Sequence, residues 1–124
     1  MDKERFKEGF LHIFKAAGYS LAGLKTGVRL SLAFRQECGV FLILIILLAI
    51  CGKPLTTWLT ALGAWLLVMM AELINTAIEE ALNLITRDYN IAVKNAKDMA
   101  SAAVFLMLAL NAALWFCIFI LGLL

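Results

Sequence analysis

From Met99 to Leu124 the chain runs for 26 residues without a charged side chain. A helix rises about 1.5 Å per residue, and about twenty apolar residues cross a bilayer's hydrocarbon core. The run can therefore span a membrane with some tilt. Composition agrees: 64% of the residues are hydrophobic, 16% are charged and mean hydropathy is +0.93. A soluble domain is about half apolar and a quarter charged. The sequence specifies an integral membrane protein, and 124 residues are enough for one domain, 1–124.

Two further spans precede this one. Trp58 to Ala71 is apolar, and the helix around it is predicted over 55–85, with Trp58 near the outer end as belt aromatics lie. The first span is shorter: Cys38 to Cys51 supplies only fourteen residues. Extending it back through Leu30-Ser-Leu-Ala-Phe34 gives a span over 30–51, with Arg35 and Glu37 near one interface. Arg35 can snorkel; Glu37 needs a partner or water. Gly52-Lys53-Pro54 predicts a tight turn, with Pro54 in the first turn of the next helix. Thr86 to Asn90 predicts a polar loop, followed by a short helical piece around Ile91 to Lys94 and a third span over 98–124. Ala100-Ser101-Ala102-Ala103 offers a small-residue face for close helix packing. Asn111 is expected to make a helix–helix hydrogen bond.

Residues 1–29 read as an interfacial helix. Phe6, Phe10, Ile13, Phe14 and Ala17 recur at helical spacing, with Lys3, Lys7, Glu8 and Lys15 largely elsewhere. Gly18 and Gly23 permit a turn or a close approach. Mixed-charge Met1 to Lys7 does not resemble a cleavable signal, and none is expected. The predicted fold is an all-α membrane protein, an N-terminal amphipathic surface helix followed by three transmembrane helices. Seven lysines and arginines run from Lys3 to Arg35 at the start of the first span, one lies in the 52–54 turn, three run from Arg87 to Lys97, and none follows. The positive-inside rule puts the N-terminus and second loop in the cytoplasm and the C-terminus outside.

Polar residues collect toward that side. At 100° per residue, Glu72, Asn75, Glu79 and Asn83 share one helical stripe roughly 80° wide. A helix leaving the bilayer accounts for Glu80 but not for Glu72, which follows directly on Leu66-Leu-Val-Met-Met-Ala71. Ionisable residues at membrane depth mark a functional site by default. Glu37, Glu79, Glu80, Asp98 and Lys97 are expected on the same side. Carboxylates with water and phosphate oxygens suit magnesium, and a lysine near a helix N-terminus suits phosphate. A buried glutamate can serve as a general base. Together these fit phosphoryl transfer from a magnesium nucleotide to a lipid hydroxyl. Neither a P-loop nor the Gly-rich, H-R-D and D-F-G set of protein kinases is present. A single histidine, His12, cannot make a His-rich metal site. Cys38, Cys51 and Cys117 have no metal-ligand spacing. No nucleic-acid partner is expected.

Three blocks resemble the bacterial integral-membrane diacylglycerol kinase family. Lys15-Ala-Ala-Gly-Tyr19-Ser20 and Ala33-Phe34-Arg35-Gln36-Glu37 resemble its N-terminal region. Glu72-Leu-Ile-Asn75-Thr-Ala-Ile-Glu79 is similar to its signature, E-x-x-N-[ST]-[SA]-[LIV]-E. Ala96-Lys97-Asp98-Met99-Ala-Ser101-Ala-Ala-Val104 resembles the start of its third span. The resemblance implies an inner-membrane homotrimer with sites shared between protomers, ATP as donor, Mg2+ as cofactor and diacylglycerol as acceptor, giving phosphatidic acid and ADP. It implies Glu72 as base and Glu79 as metal ligand. Tyr19, Asn75, Glu79, Asp88, Tyr89, Asn90, Lys97 and Asp98 would meet nucleotide. Ala16, Ala17, Ala33, Phe34, Arg35, Gln36, Glu37, Glu72 and Ser101 would meet lipid.

Two positions depart from the family pattern. Ser31 stands where a second metal-binding glutamate is usual, and Leu82-Asn83 stands where Val-Asp usually follows the signature. Both remove negative charge where magnesium is expected. Weaker metal affinity, compensation by a residue such as Glu37, a shifted substrate and lost activity all remain open on sequence. Rival readings are an undecaprenol kinase, a transporter using Glu72 to carry protons, and a non-catalytic homologue.

Overall fold

Helix α1 occupies Asp2–Leu30, α2 Leu32–Ile50, α3 Leu55–Ile85 and α4 Ile91–Trp115, the last running into a π-helical turn, Phe116–Ile120. These elements come from a computed structural model that describes residues 2–124. Met1, where the expected surface helix begins, lies outside them. No strand occurs among the described residues, and three of the helices are long and apolar enough to cross a membrane. The all-α, three-span architecture read from hydropathy is the architecture observed.

The boundaries follow local chemistry. Ser31 interrupts what hydropathy alone reads as one apolar stretch. Its backbone is extended, at φ −104° and ψ 117°, and its hydroxyl accepts the Phe34 N–H at 3.0 Å. An N-cap of this kind contributes about 1 kcal/mol. Consequently α1 and α2 are separated by a single residue, and the first span begins at Leu32 rather than at 30. Gly52 makes the next turn with φ +59°, a left-handed conformation that glycine adopts without Cβ strain. Pro54 is the N-cap of α3, just outside its expected place in the first turn. The carboxamide of Asn90 caps α4, accepting from Ala92 N at 2.9 Å and Val93 N at 3.2 Å. The piece expected around Ile91 to Lys94 is thus the first turn of α4 itself.

The core packs at the end of the bundle near the 52–54 turn, from Leu44, Leu48, Ala61, Trp65, Val68 and Ile118. Trp65 and Trp115 meet with ring centroids 5.0 Å apart, and the Trp65 indole donates to the Glu37 carbonyl at 2.9 Å. Asn111 bears out its expected role: its amide donates across the α3–α4 interface to Ala64 O at 3.0 Å, and within α4 to Met107 O at 2.9 Å. Lys53 ties the turn to the chain end, donating to Ile118 O at 3.1 Å and Leu124 O at 2.8 Å. The π-helical turn widens the ladder there, and the ammonium takes up the Ile118 carbonyl.

Two packing expectations need correction. Gly18 and Gly23 neither turn the chain nor approach another element; α1 is continuous through both. The close approach is at Gly27, the one residue of α1 buried in this chain, where a Cβ would run into the Leu73 side chain. Of the expected small-residue face, Ala100 is half-buried and Ser101, Ala102 and Ala103 are exposed, with Ala103 lining an open apolar groove against α3. Small residues permit a close partner without saying whether it lies in the same molecule.

Candidate functional site

At 31 residues, α3 is about 46 Å long, longer than a hydrocarbon core of about 30 Å. One end must stand clear of the apolar layer, and the polar stripe grades toward that end. Glu72 and Asn75 are buried, at 7% and 8% exposure. Glu79 and Asn83 are half-buried, and Glu80, off the stripe, is exposed. The helical projection puts the four on one face, and their order along the axis after the apolar run sets the gradient.

Two hydroxyls engage the Glu72 carboxylate. Ser31 Oγ donates to Glu72 Oε1 at 2.8 Å, and Thr76 Oγ1, one turn along α3, lies 3.4 Å from the same oxygen. Glu37 from α2 is buried nearby, with Oε2 unpaired, and Asn75 Oδ1 is also buried without a partner. Unpaired buried acceptors cost about 1–3 kcal/mol each. Asn111 Oδ1 and Trp115 Nε1 on α4, away from this stripe, are unpaired too, so the feature is not peculiar to the site.

At the open end α4 joins the stripe. Lys97 Nζ donates to Asn83 Oδ1 at 2.7 Å. The partner is a neutral amide, and among the described residues no carboxylate pairs with this ammonium. Lys94 pairs with Asp98 across one exposed turn, a contact worth little in stability. Asp88, Tyr89, Asn90, Lys94, Lys97 and Asp98 line a shallow hollow of about 220 Å³. Five residues the resemblance assigned to nucleotide thus converge. Of these, Asn90 already uses its carbonyl oxygen as a helix cap. Tyr19 does not join them; it is 77% exposed on α1.

The residues assigned to lipid are dispersed. Phe34 and Glu37 are buried, while Ala33, Arg35 and Gln36 are exposed. Arg35 donates to Val28 O at 2.8 Å and Arg29 O at 3.3 Å. It thereby satisfies carbonyls at the C-terminal end of α1, where a cation is favoured. Ala16, Ala17 and Ser101 lie on exposed faces. A larger apolar cleft of about 760 Å³ opens between α1 and α3, lined by residues including Gly23, Leu24, Gly27, Leu73, Thr76 and Glu80. Sequence reasoning did not single out Thr76 or Leu73. Thr76 was findable, because i and i+4 residues are neighbours on a helix. Leu73 carried no signal beyond being apolar.

The arrangement is that of a small three-span membrane protein whose buried carboxylate is held by hydroxyls and whose polar stripe meets a lysine at the open end. The sequence profile described as prokaryotic diacylglycerol kinase matches residues 18–119. Diacylglycerol kinase of Haemophilus influenzae is 35% identical over 107 residues, covering 86% of this chain and 91% of that protein. Diacylglycerol kinase of Escherichia coli K12 is 35% identical over 107 residues, covering 86% and 88%. Diacylglycerol kinase of Helicobacter pylori 26695 is 35% identical over 108 residues, covering 87% and 84%. The chain belongs to the prokaryotic diacylglycerol kinase family, and it is a membrane kinase. Ala16 and Ala17 precede the matched range.

Proposed function

We propose that the protein transfers the γ-phosphoryl group of ATP to the hydroxyl of diacylglycerol, giving phosphatidic acid and ADP. The observation that carries this reading is Glu72, a buried carboxylate in the family signature, fixed by Ser31 and in line with Asn75, Glu79 and Asn83. Its role is to accept the proton of the lipid hydroxyl as that oxygen attacks phosphorus. A positioned base of this kind supplies about 10²–10⁴ in rate. Lys97 offers an uncompensated ammonium to phosphate, and the hollow beside it takes part of the nucleotide. Phosphoryl transfer needs little else than positioning and charge stabilisation, which suits so small a protein.

The donor set fits magnesium held partly by substrate. No three His, Cys, Asp or Glu side chains gather among the described residues. Mg2+ commonly uses one or two carboxylates with water and phosphate oxygens. Glu79, half-buried on the stripe between Asn75 and Asn83, would be its carboxylate ligand. When bound, the ion neutralises charge on the phosphates.

A hollow of about 220 Å³ is smaller than the 300–1,000 Å³ usual for a ligand pocket. A neighbouring protomer is proposed to complete it, in a homotrimer, with the exposed Tyr19 face of α1 as its contribution. In this reading α1 lies along the cytoplasmic face of the inner membrane, its aromatic ladder of Phe6, Phe10 and Phe14 in the headgroups.

Acceptor preference tests the reading. Purified protein given Mg-ATP in mixed micelles is expected to show a higher kcat/KM for diacylglycerol than for undecaprenol or monoacylglycerol. A preference for undecaprenol would transfer the assignment to that substrate. Topology is checked separately in a variant lacking the native cysteines. A cysteine at Gly52 is expected to react with an impermeant thiol reagent outside intact cells, and one at Asn90 to be protected. The converse pattern inverts the topology and places the nucleotide residues on the wrong side.

A further inference from the structure

Resting on the reading of Glu72 as proton acceptor, we propose that Ser31 is the positioning residue for that carboxylate. Ser31 Oγ accepts the Phe34 N–H at 3.0 Å and donates to Glu72 Oε1 at 2.8 Å. A hydroxyl carries one proton. Because an amide N–H takes one of its lone pairs, that proton is directed at the carboxylate. Ser31 is itself held, being 7% exposed and fixed as the N-cap between α1 and α2. The hydroxyl of Thr76 lies toward the same oxygen. Both hydroxyls engage Oε1 and neither engages Oε2, which leaves the second oxygen able to take the proton of the lipid hydroxyl. A glutamate has three side-chain torsions, and anchoring one oxygen removes much of that freedom before substrate arrives. The break between α1 and α2 and the aim of the base on α3 are thus a single feature. The resemblance placed position 31 in the metal shell; the geometry points to Glu72 instead.

The test uses the full-length protein in mixed micelles with diacylglycerol and Mg-ATP. Ser31→Gly removes the hydroxyl at little cost to the cap, since glycine is a tolerable N-cap. Its kcat is expected to fall roughly tenfold or more, with KM for both substrates changed less than about twofold. Ser31→Thr, which keeps the hydroxyl, should restore most of that loss. Ser31→Cys, a weaker donor, should fall between them, and it serves as the second variant if Ser31→Gly fails to fold. In a Glu72→Gln background, Ser31→Gly should change the residual rate less than about twofold, because the group being positioned is gone. A lower melting temperature with parent kcat would show a cap and nothing more. A raised KM for Mg-ATP at unchanged kcat would return position 31 to the metal shell. An equal loss in both backgrounds would show that Ser31 acts through something other than Glu72. Each of these three outcomes overturns the proposal. Parent-like turnover in Glu72→Gln alone would instead reject the base assignment on which it rests.

Discussion

Glu72→Gln is expected to lower turnover by about 10² or more, the scale for a lost general base, while leaving the fold and the elution volume in detergent unchanged. The amide has nearly the shape of the carboxylate. Its carbonyl oxygen can still accept the Ser31 hydroxyl, whose bond to Glu72 Oε1 measures 2.8 Å. What it loses is the capacity to take a proton. Neutralising a buried charge costs no solvation, so the melting temperature is expected to hold or rise. The diagnostic pattern is therefore low kcat with undiminished stability, read by mixed-micelle kinetics beside thermal unfolding. Near-normal turnover in the purified variant would remove Glu72 from the mechanism.

Glu79→Gln is expected to act through metal demand. Magnesium prefers charged oxygen ligands, and an amide is a weak neutral one. Ser31, which engages Glu72, adds no charge to compensate. Removing a unit charge about 4 Å from a divalent ion, with an effective dielectric near 20, forfeits about 8 kcal/mol before desolvation takes back most of it. A remainder of about 1.4 kcal/mol shifts the magnesium midpoint tenfold. The variant should lose activity at low magnesium and partly regain it at high magnesium. Thermal stabilisation by ATP should need the same increase, which gives a readout independent of turnover. A magnesium titration identical to the parent's would rule out Glu79 as the metal ligand.

Much of this architecture is legible in the sequence because a bilayer imposes strong rules. Three apolar runs must be helices, since lipid offers no partner to an open backbone. Asn111, the one strong polar group in an otherwise apolar span, had to find a carbonyl, and it does. Glu72 and Asn75 lie buried on the stripe where the 100° projection groups them with Glu79 and Asn83. The site's finer construction was not legible, because it depends on contacts between distant parts of the chain. Hydropathy runs straight through Leu30-Ser-Leu, so it hides the break at Ser31 and the bond it makes to a residue 41 positions away. Arg35 reads as a snorkelling side chain, yet it caps the carbonyls of α1, which is reachable only because the chain breaks at Ser31. Lys97 and Asn83 meet because α4 begins at Ile91, a boundary set by the Asn90 cap rather than by hydropathy. Ala100 to Ala103 show the opposite limit: small residues advertise a close contact, and nothing in their order names the partner.

Transfer of labelled phosphate under single-turnover conditions tests the central claim most directly. Purified protein in excess over γ-labelled ATP, with magnesium and diacylglycerol in mixed micelles, is predicted to place the label in phosphatidic acid. Label should appear there at a rate at least about 10² slower in Glu72→Gln. Label released only to water, or reaching phosphatidic acid equally fast in both proteins, would contradict the account.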